Sequence, residues 1–564
     1  MSDFRTQYRT ATKTFIIVLA ILSASVFCSG QGRTVERMFI STDRPYYAAG
    51  DKIYCSAFCL TPEGELSGFS AVSYLELYSA DGHSVTGKIA LTEGRGAGSI
   101  DLPSDLPTGN YRLIAYTAVN HNEEGFDYGS FSKTVSVYNT SSASRVEGGV
   151  EIIPDMASGG QEETGTGDLD ITLGESSEGG LSLFMNSGKQ TFVSVSIYHD
   201  EHLPVYDTGS MKSFLSSIKK PQGFLDNSVP EYDGEIVRIQ IEPSEGTIAD
   251  LSGKDVFIST PGSISDIYAT PLGKDGVAEY FTTNIFGNKD MAIEIKDFGK
   301  PFSFSFVNPF VGKGPKDGIP VMKISQSMEK AISRLGESMQ VVKMFDADTL
   351  YDYLPSRSIH FTGKDRVSYI LDDYTRFSTM REIFIEYLFD ITTRRNRDKG
   401  IELVVSCNDE VRKNSYVPSG ESLIMIDGVP VFDHNLIYEY DPALVKRIDV
   451  YPYVYFIGGR SYYGMADFVT FEGNMPSFNF GPEVKITDFQ GAGVPVAITG
   501  KNFPAEYPNI RETIYWNPLL TLEGGESTPI EVVLPAYSGD FKIVVEGIDC
   551  EGNPIYRTAY FETE

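Results

Sequence analysis

Short runs that alternate apolar and polar residues, each closed by a turn signal, constrain this chain more than any other feature. Ser73-Tyr-Leu-Glu-Leu-Tyr78 and Tyr111-Arg-Leu-Ile-Ala-Tyr116 have the period of two that sends one side of a strand into a core. Ala49-Gly50-Asp51, Asp81-Gly82 and Pro107-Thr-Gly109 separate such runs with residues suited to tight turns. Further strands are expected at Gln190–Tyr198, Ile236–Ile241, Val256–Ser259 and Met291–Ile295. The 54 Gly, 33 Tyr and 35 Phe agree, because aromatics suit a half-buried pleated surface and glycines suit its turns. The expected fold class is mainly β, with several β-sandwiches in one chain.

A length of 564 residues is too great for one core, and about three to five domains are expected at roughly 100–200 residues each. The formal net charge of −30 argues against a nucleic-acid partner, since phosphate backbones are held by Lys and Arg. An acidic surface of this kind is read as solubilising.

Residues 1–30 read as a signal peptide. Arg5, Arg9 and Lys13 are a basic opening, Phe15–Phe27 is an apolar core, and Cys28-Ser29-Gly30 offers small residues before cleavage at Gln31. An uncleaved anchor is the alternative, although the apolar run is short against the roughly 20 residues that a span needs. The bulky Phe27 argues against lipidation of Cys28. Cys55 and Cys59 lie on one side of a single expected strand, about 13 Å apart at about 3.3 Å per residue, too far for a mutual disulfide. Cys407 and Cys550 fall in different expected domains, so no disulfide framework or zinc site is expected.

Residues 35–138 are expected to form a first sandwich. Its opening, Ser41-Thr-Asp-Arg-Pro-Tyr-Tyr-Ala-Ala-Gly-Asp51, and its late segment Leu106-Pro-Thr-Gly-Asn-Tyr-Arg-Leu113 resemble two motifs of the macroglobulin domains of alpha-2-macroglobulin-like proteins. The resemblance implies a structural role for Asp43, Arg44, Pro45 and Gly50. Asp43 and Arg44 are read as an exposed pair, which would contribute little. Residues 139–167, rich in Ser, Gly and Glu, read as a linker. Residues 168–230, with a short helix near Met211–Ile218, resemble a second macroglobulin-type domain. Residues 233–310 resemble a carboxypeptidase-regulatory or Ig-like sandwich at the level of fold.

Residues 320–482 differ. Met380, Ile383, Phe384, Tyr387, Leu388 and Ile391 predict a helix from Thr379 to about Arg395, with Thr379 and Glu382 as a capping box and Arg394, Arg395 and Arg397 at its end. Downstream, Ile426-Asp427-Gly428-Val-Pro430, then Val445–Tyr451, then Tyr463-Gly464 resemble the plug of TonB-dependent outer-membrane receptors. Asp427-Gly428 is expected to be a hairpin turn. Such a receptor would continue into a barrel of roughly 20 or more strands. Only residues 483–564 follow here, and they read as one small C-terminal β-domain containing the sole tryptophan, Trp516, as a core residue. The plug-like segment therefore cannot gate a barrel of its own.

No catalytic motif stands out: the chain lacks Gly-x-Ser-x-Gly, His-Glu-x-x-His and a phosphate-cradling loop. The thioester motif Cys-Gly-Glu-Gln is absent, so covalent capture of a protease is not expected. Gly94-Arg-Gly-Ala-Gly98 reads as a turn, and His199-Asp-Glu-His202, the best metal candidate, reads as a solvated loop without a third ligand. No cofactor, metal or catalytic residue is expected. The sequence thus describes an exported, non-catalytic interaction or scaffold protein of the cell envelope, with a protein partner such as an outer-membrane barrel. The alternative is a surface adhesin that binds glycan or protein through its aromatics.

Overall fold

The computed structural model describes residues 34–563 except 129–130, 155–164, 176–179, 207–208, 226–228, 284, 313–317, 355–365, 398–399, 408–419, 505–506 and 536. The signal-peptide reading of residues 1–30 and the Cys28 question lie outside these. The molecule is mainly β, as expected, and is built from packed sheets whose strands pair mostly antiparallel. Among the described residues no helix is long and apolar enough to cross a membrane.

The first sandwich is continuous in sequence. Its strands follow the order Arg37–Thr42, Lys52–Leu60, Arg95–Asp101, Ser84–Thr92, Val72–Tyr78, Gly109–Tyr116, Ser132–Tyr138 and Tyr46–Ala48. The sheet curls over itself, so Phe39 and Phe58 from one end share a core with Leu77, Leu113 and Val135 from the other. Cys55 and Cys59 are buried in that core as free thiols.

The second sandwich corrects the expected boundaries. Asp170–Glu175 and Leu181–Asn186 pair with Ser527–Val532 in one sheet. Thr191–His199 lies between Thr513–Leu522 and Gly539–Asp549 in the other, with Pro554–Thr563 at the edge. Residues 168–230 and 483–564 are therefore not two domains. Leu183, Val193 and Val195 from the first share one core with Ile514, Phe541 and Ile543 from the second. Neither segment alone has enough strands to cover both faces of its own apolar residues.

A third sandwich sits inside this split. Glu235–Pro243 pairs with Val277–Thr282 and Phe302–Phe306. Asp255–Thr260 lies between Ser263–Pro271 and Asn288–Ile295, and the latter is joined by Val484–Gln490. The 233–310 unit thus also needs a strand from beyond residue 482. Lys88 ties the first sandwich to the third, donating to Glu235 Oε1 (2.5 Å) and to the Gln490 carbonyl (2.8 Å). Arg95 ties the first to the second through Thr521 Oγ1 and the Leu520 carbonyl, both at 3.0 Å.

The segment between Phe302–Phe306 and Val484–Gln490 does two things. Its first helix, Glu329–Met344, packs Leu335 and Met339 against Tyr46, Ala48 and Tyr138 of the first sandwich. It therefore does not belong to a plug-like unit running from residue 320. Residues 367–480 form an α+β module around one sheet, ordered Val367–Ile370, Val445–Ile457, Arg460–Thr470, Leu423–Ile426 and Val429–Pro430.

The predicted helix at 379–395 is shorter. Thr379 and Glu382 form the capping box, but the helix ends at Glu386 and Ile391–Asn396 makes a hairpin with Gly400–Val405. All six apolar positions are buried, so the spacing identified the core face correctly. The chain leaves the helix at Tyr387 (φ −147°) and extends through Ile391-Thr-Thr393, β-branched residues that are stiff in a helix and favoured in a strand. Arg394, Arg395 and Arg397 are exposed within that hairpin rather than at a helix end.

Candidate functional site

The Asp43–Asp51 segment, read as an exposed structural motif, is instead the centre of a buried charged node. Asp43 and Arg44 are 0% and 6% exposed, because the second sandwich covers them. After Pro45 the chain enters Tyr46–Ala48, which runs parallel to Ser136–Tyr138, and Gly50 then turns it with φ 93°. That turn brings Asp51 back to Arg44. Burying a charge costs heavily unless it is paired, and here it is paired closely. Arg44 Nη1 donates to Asp43 Oδ2 and to Thr513 Oγ1, both at 2.9 Å, Nη2 reaches Asp51 Oδ2, and Nε donates to the Tyr46 carbonyl at 3.2 Å. Asp43 also accepts from the Tyr47 hydroxyl (2.7 Å), the Tyr54 amide (3.0 Å) and the Thr513 hydroxyl (2.6 Å). Burial works to lower the Arg44 guanidinium, but the Asp51 and Asp43 carboxylates hold it above its ordinary value. Burial raises the Asp43 carboxyl against the pull of Arg44.

The node continues into His199–His202, the loop expected from the sequence to be solvated. His199 ends the central strand of the second sandwich, is 6% exposed, and sits edge-on to Tyr537 and Phe541. Tyr46 fixes the loop by donating to the His199 carbonyl (3.1 Å) and accepting from the Glu201 amide (2.8 Å). His199 Nδ1 lies 3.1 Å from Glu201 Oε1 and 3.8 Å from Glu512 Oε2. Arg334, from helix Glu329–Met344, brings Nε to 2.8 Å from Glu201 Oε1 and 3.5 Å from Glu512 Oε1, with its guanidinium 3.9 Å from the Tyr537 ring centre. Burial, and then the Glu201 carboxylate, push the Glu512 carboxyl up to about 8. His202 is not part of this group: its side chain is 63% exposed and its Nε2 faces Asp540 at 2.9 Å.

A cavity of about 50 Å³ borders the node at Arg44, Asp51, Glu512 and Thr513. Its size admits a few waters and no organic substrate. The chemistry on offer is charge compensation and ion ligation. Arg334 and Glu512 carried no signal in the sequence, and Glu201 only as a member of His199-Asp-Glu-His202, because each is an ordinary charged residue until the second sandwich closes.

The plug-like residues are elsewhere and serve local structure. Asp427 (φ 47°) and Gly428 (φ 78°) make the turn between Leu423–Ile426 and Val429–Pro430. The Asp427 carboxylate accepts from the Thr470 amide (2.7 Å), the Thr470 hydroxyl (2.6 Å) and the Met475 amide (2.8 Å). Pro430 pairs with Met425, the Tyr463 carbonyl accepts from Ser422 Oγ at 2.7 Å, and Gly464 (φ 79°) passes close to Val405. Trp516 is 1% exposed and packs with Tyr54, Tyr351 and Ile498, a core position between units.

No protein-family profile matches this chain, and no curated protein matches it. Among solved structures, the native conformation of E. coli alpha-2-macroglobulin overlaps 94% of this chain and 40% of its own, at 8% identity and a TM-score of 0.23. A Salmonella alpha-2-macroglobulin mutant overlaps 94% and 23%, at 9% identity and a TM-score of 0.15. The Yersinia pseudotuberculosis adhesin InvE overlaps 49% of this chain and 61% of its own, at 12% identity and a TM-score of 0.15. The chain spans about two fifths of the E. coli protein's length. TM-scores of this size do not establish a common fold.

Proposed function

We propose that the chain is an exported, non-catalytic interaction protein of a bacterial cell envelope. The interlocked sandwiches serve as a stiff frame, and the 367–480 module, which resembles a receptor plug, engages a protein partner such as an outer-membrane barrel. The observation that carries this reading is the nesting. The module is inserted in the chain between two strands of the third sandwich, Phe302–Phe306 and Val484–Gln490, so the frame holds it at both ends. It leaves large apolar side chains outside its core: Ile385, Phe389 and Phe456 are 59%, 74% and 75% exposed. Exposed side chains of this size are what partner surfaces use. Replacing residues 367–480 by a short flexible linker, in cells, is expected to remove the envelope partner recovered with the tagged protein. Undiminished recovery would show that the frame, not the module, binds.

A second reading, a surface adhesin, draws on the exposed Tyr232 and Tyr353, 54% and 64% accessible, as stacking platforms. Protease treatment of intact cells separates the two, since complete protection of the protein excludes it.

A further inference from the structure

The charged node has more acidic groups than cations. Asp43, Asp51, Glu201 and Glu512 face one another through two guanidiniums, Arg44 and Arg334. Arg511, which lines the cavity beside the node, sets its guanidinium 4.2 Å from the Phe503 ring centre and donates from Nε to Asn509. Lys343 borders the Gly50 turn but is open to solvent. Buried polar atoms are nearly always hydrogen-bonded, and those that are not ask for an explanation. Here His199 Nδ1, Glu201 Oε1 and both Glu512 carboxylate oxygens are buried without a hydrogen bond, and one ligand atom from each of the three residues lies within 4.8 Å of the other two. His199 and Glu512 are 6% and 3% exposed.

We propose that His199 Nδ1 and the carboxylates of Glu201 and Glu512 bind one divalent transition-metal ion of the zinc class. A nitrogen and two carboxylate oxygens are ligands of the hardness such ions take. With metal–ligand bonds of about 2.1 Å and tetrahedral angles, neighbouring ligand atoms stand about 3.4 Å apart. The observed 3.1 Å and 3.8 Å separations from Nδ1 bracket that value without any ion present to draw the ligands in. Arg334, beside Glu201 Oε1, takes the place of an outer partner that orients a ligand. The ligands come from both halves of the split second sandwich, so the ion fastens Thr191–His199 and its loop to the segment leading into Thr513–Leu522.

The test uses the full chain without a polyhistidine tag, stripped with chelator and titrated with Zn²⁺ alone and with Co²⁺ alone. The expected result is one ion per chain, the visible absorption of tetrahedral or five-coordinate Co²⁺, and a raised melting temperature. His199→Gln and Glu512→Gln are each expected to weaken binding at least tenfold, while His202→Ala, which removes the exposed histidine, binds like the parent. Failure of the stripped parent to take up either ion overturns the proposal, whatever the variants do. Equal binding by the parent and by the His199→Gln/Glu512→Gln double variant overturns it too, since the ion would then sit elsewhere.

Discussion

Arg44 and Thr513 stand 469 residues apart in the chain, and Arg44 Nη1 donates to the Thr513 hydroxyl over 2.9 Å. The same hydroxyl donates to Asp43 at 2.6 Å, so one threonine closes a pair that the motif alone leaves open. Arg44→Met strands Asp43 in a buried site and is expected to cost about 3–5 kcal/mol. Thr513→Val removes one donor and one acceptor and is expected to cost about 1–3 kcal/mol. Chemical unfolding of each variant, followed by the fluorescence of the single tryptophan, Trp516, measures both. Effects below about 0.5 kcal/mol would show that the pair is solvated after all.

The split second sandwich makes a firm statement about truncation. Removing residues 483–564 takes away every strand that flanks Thr191–His199 and the strand Val484–Gln490 of the third sandwich. Residues 168–306 are then expected to become protease-sensitive, while the 37–138 sandwich stays protected. Had 483–564 been a separate C-terminal domain, its removal would leave the protection of 168–306 unchanged.

Asp467 gives the inserted module a pH dependence of unusual sign. It is buried opposite Asp449, and burial pushes its carboxyl up to about 7 although the Gly428 amide donates to it. A carboxyl raised on folding adds stability that is complete below its unfolded value near 4 and is lost as pH rises through about 7. Asp467→Asn keeps an acceptor for Gly428 and cannot ionise. Its melting temperature is therefore expected to match the parent's near pH 4 and to exceed it at pH 8, by the equivalent of about 2–4 kcal/mol. A difference that does not change with pH would assign the effect to packing.

Thiol reactivity should divide the cysteines by burial. Burial pushes the Cys55 and Cys59 thiols well up, and both sit in the first core, whereas Cys550 is exposed. An alkylating reagent at pH 8 is expected to label Cys550 in the folded chain and Cys55 and Cys59 only after unfolding, as read by peptide mass spectrometry. Labelling of Cys59 at the rate of Cys550 would mean that the first sandwich opens readily.

What the sequence determined was local. Alternation at Ser73–Tyr78 and Tyr111–Tyr116 marked the strands Val72–Tyr78 and Gly109–Tyr116, Asp427-Gly428 announced its turn, and Thr379 with Glu382 announced a helix start. Each signal acts between residues only a few positions apart. The spacing from Met380 to Ile391 marked a buried face correctly, but a helix and a helix-then-hairpin can bury the same six side chains, and only packing against Gly400–Val405 chose between them. Tertiary structure alone decided which strands pair. Backbone hydrogen bonds are the same for every residue, so nothing in Thr191–His199 names Thr513–Leu522 as its neighbour. The charged node follows from that choice, because Asp43, His199, Arg334 and Glu512 meet only once the second sandwich has closed over the first.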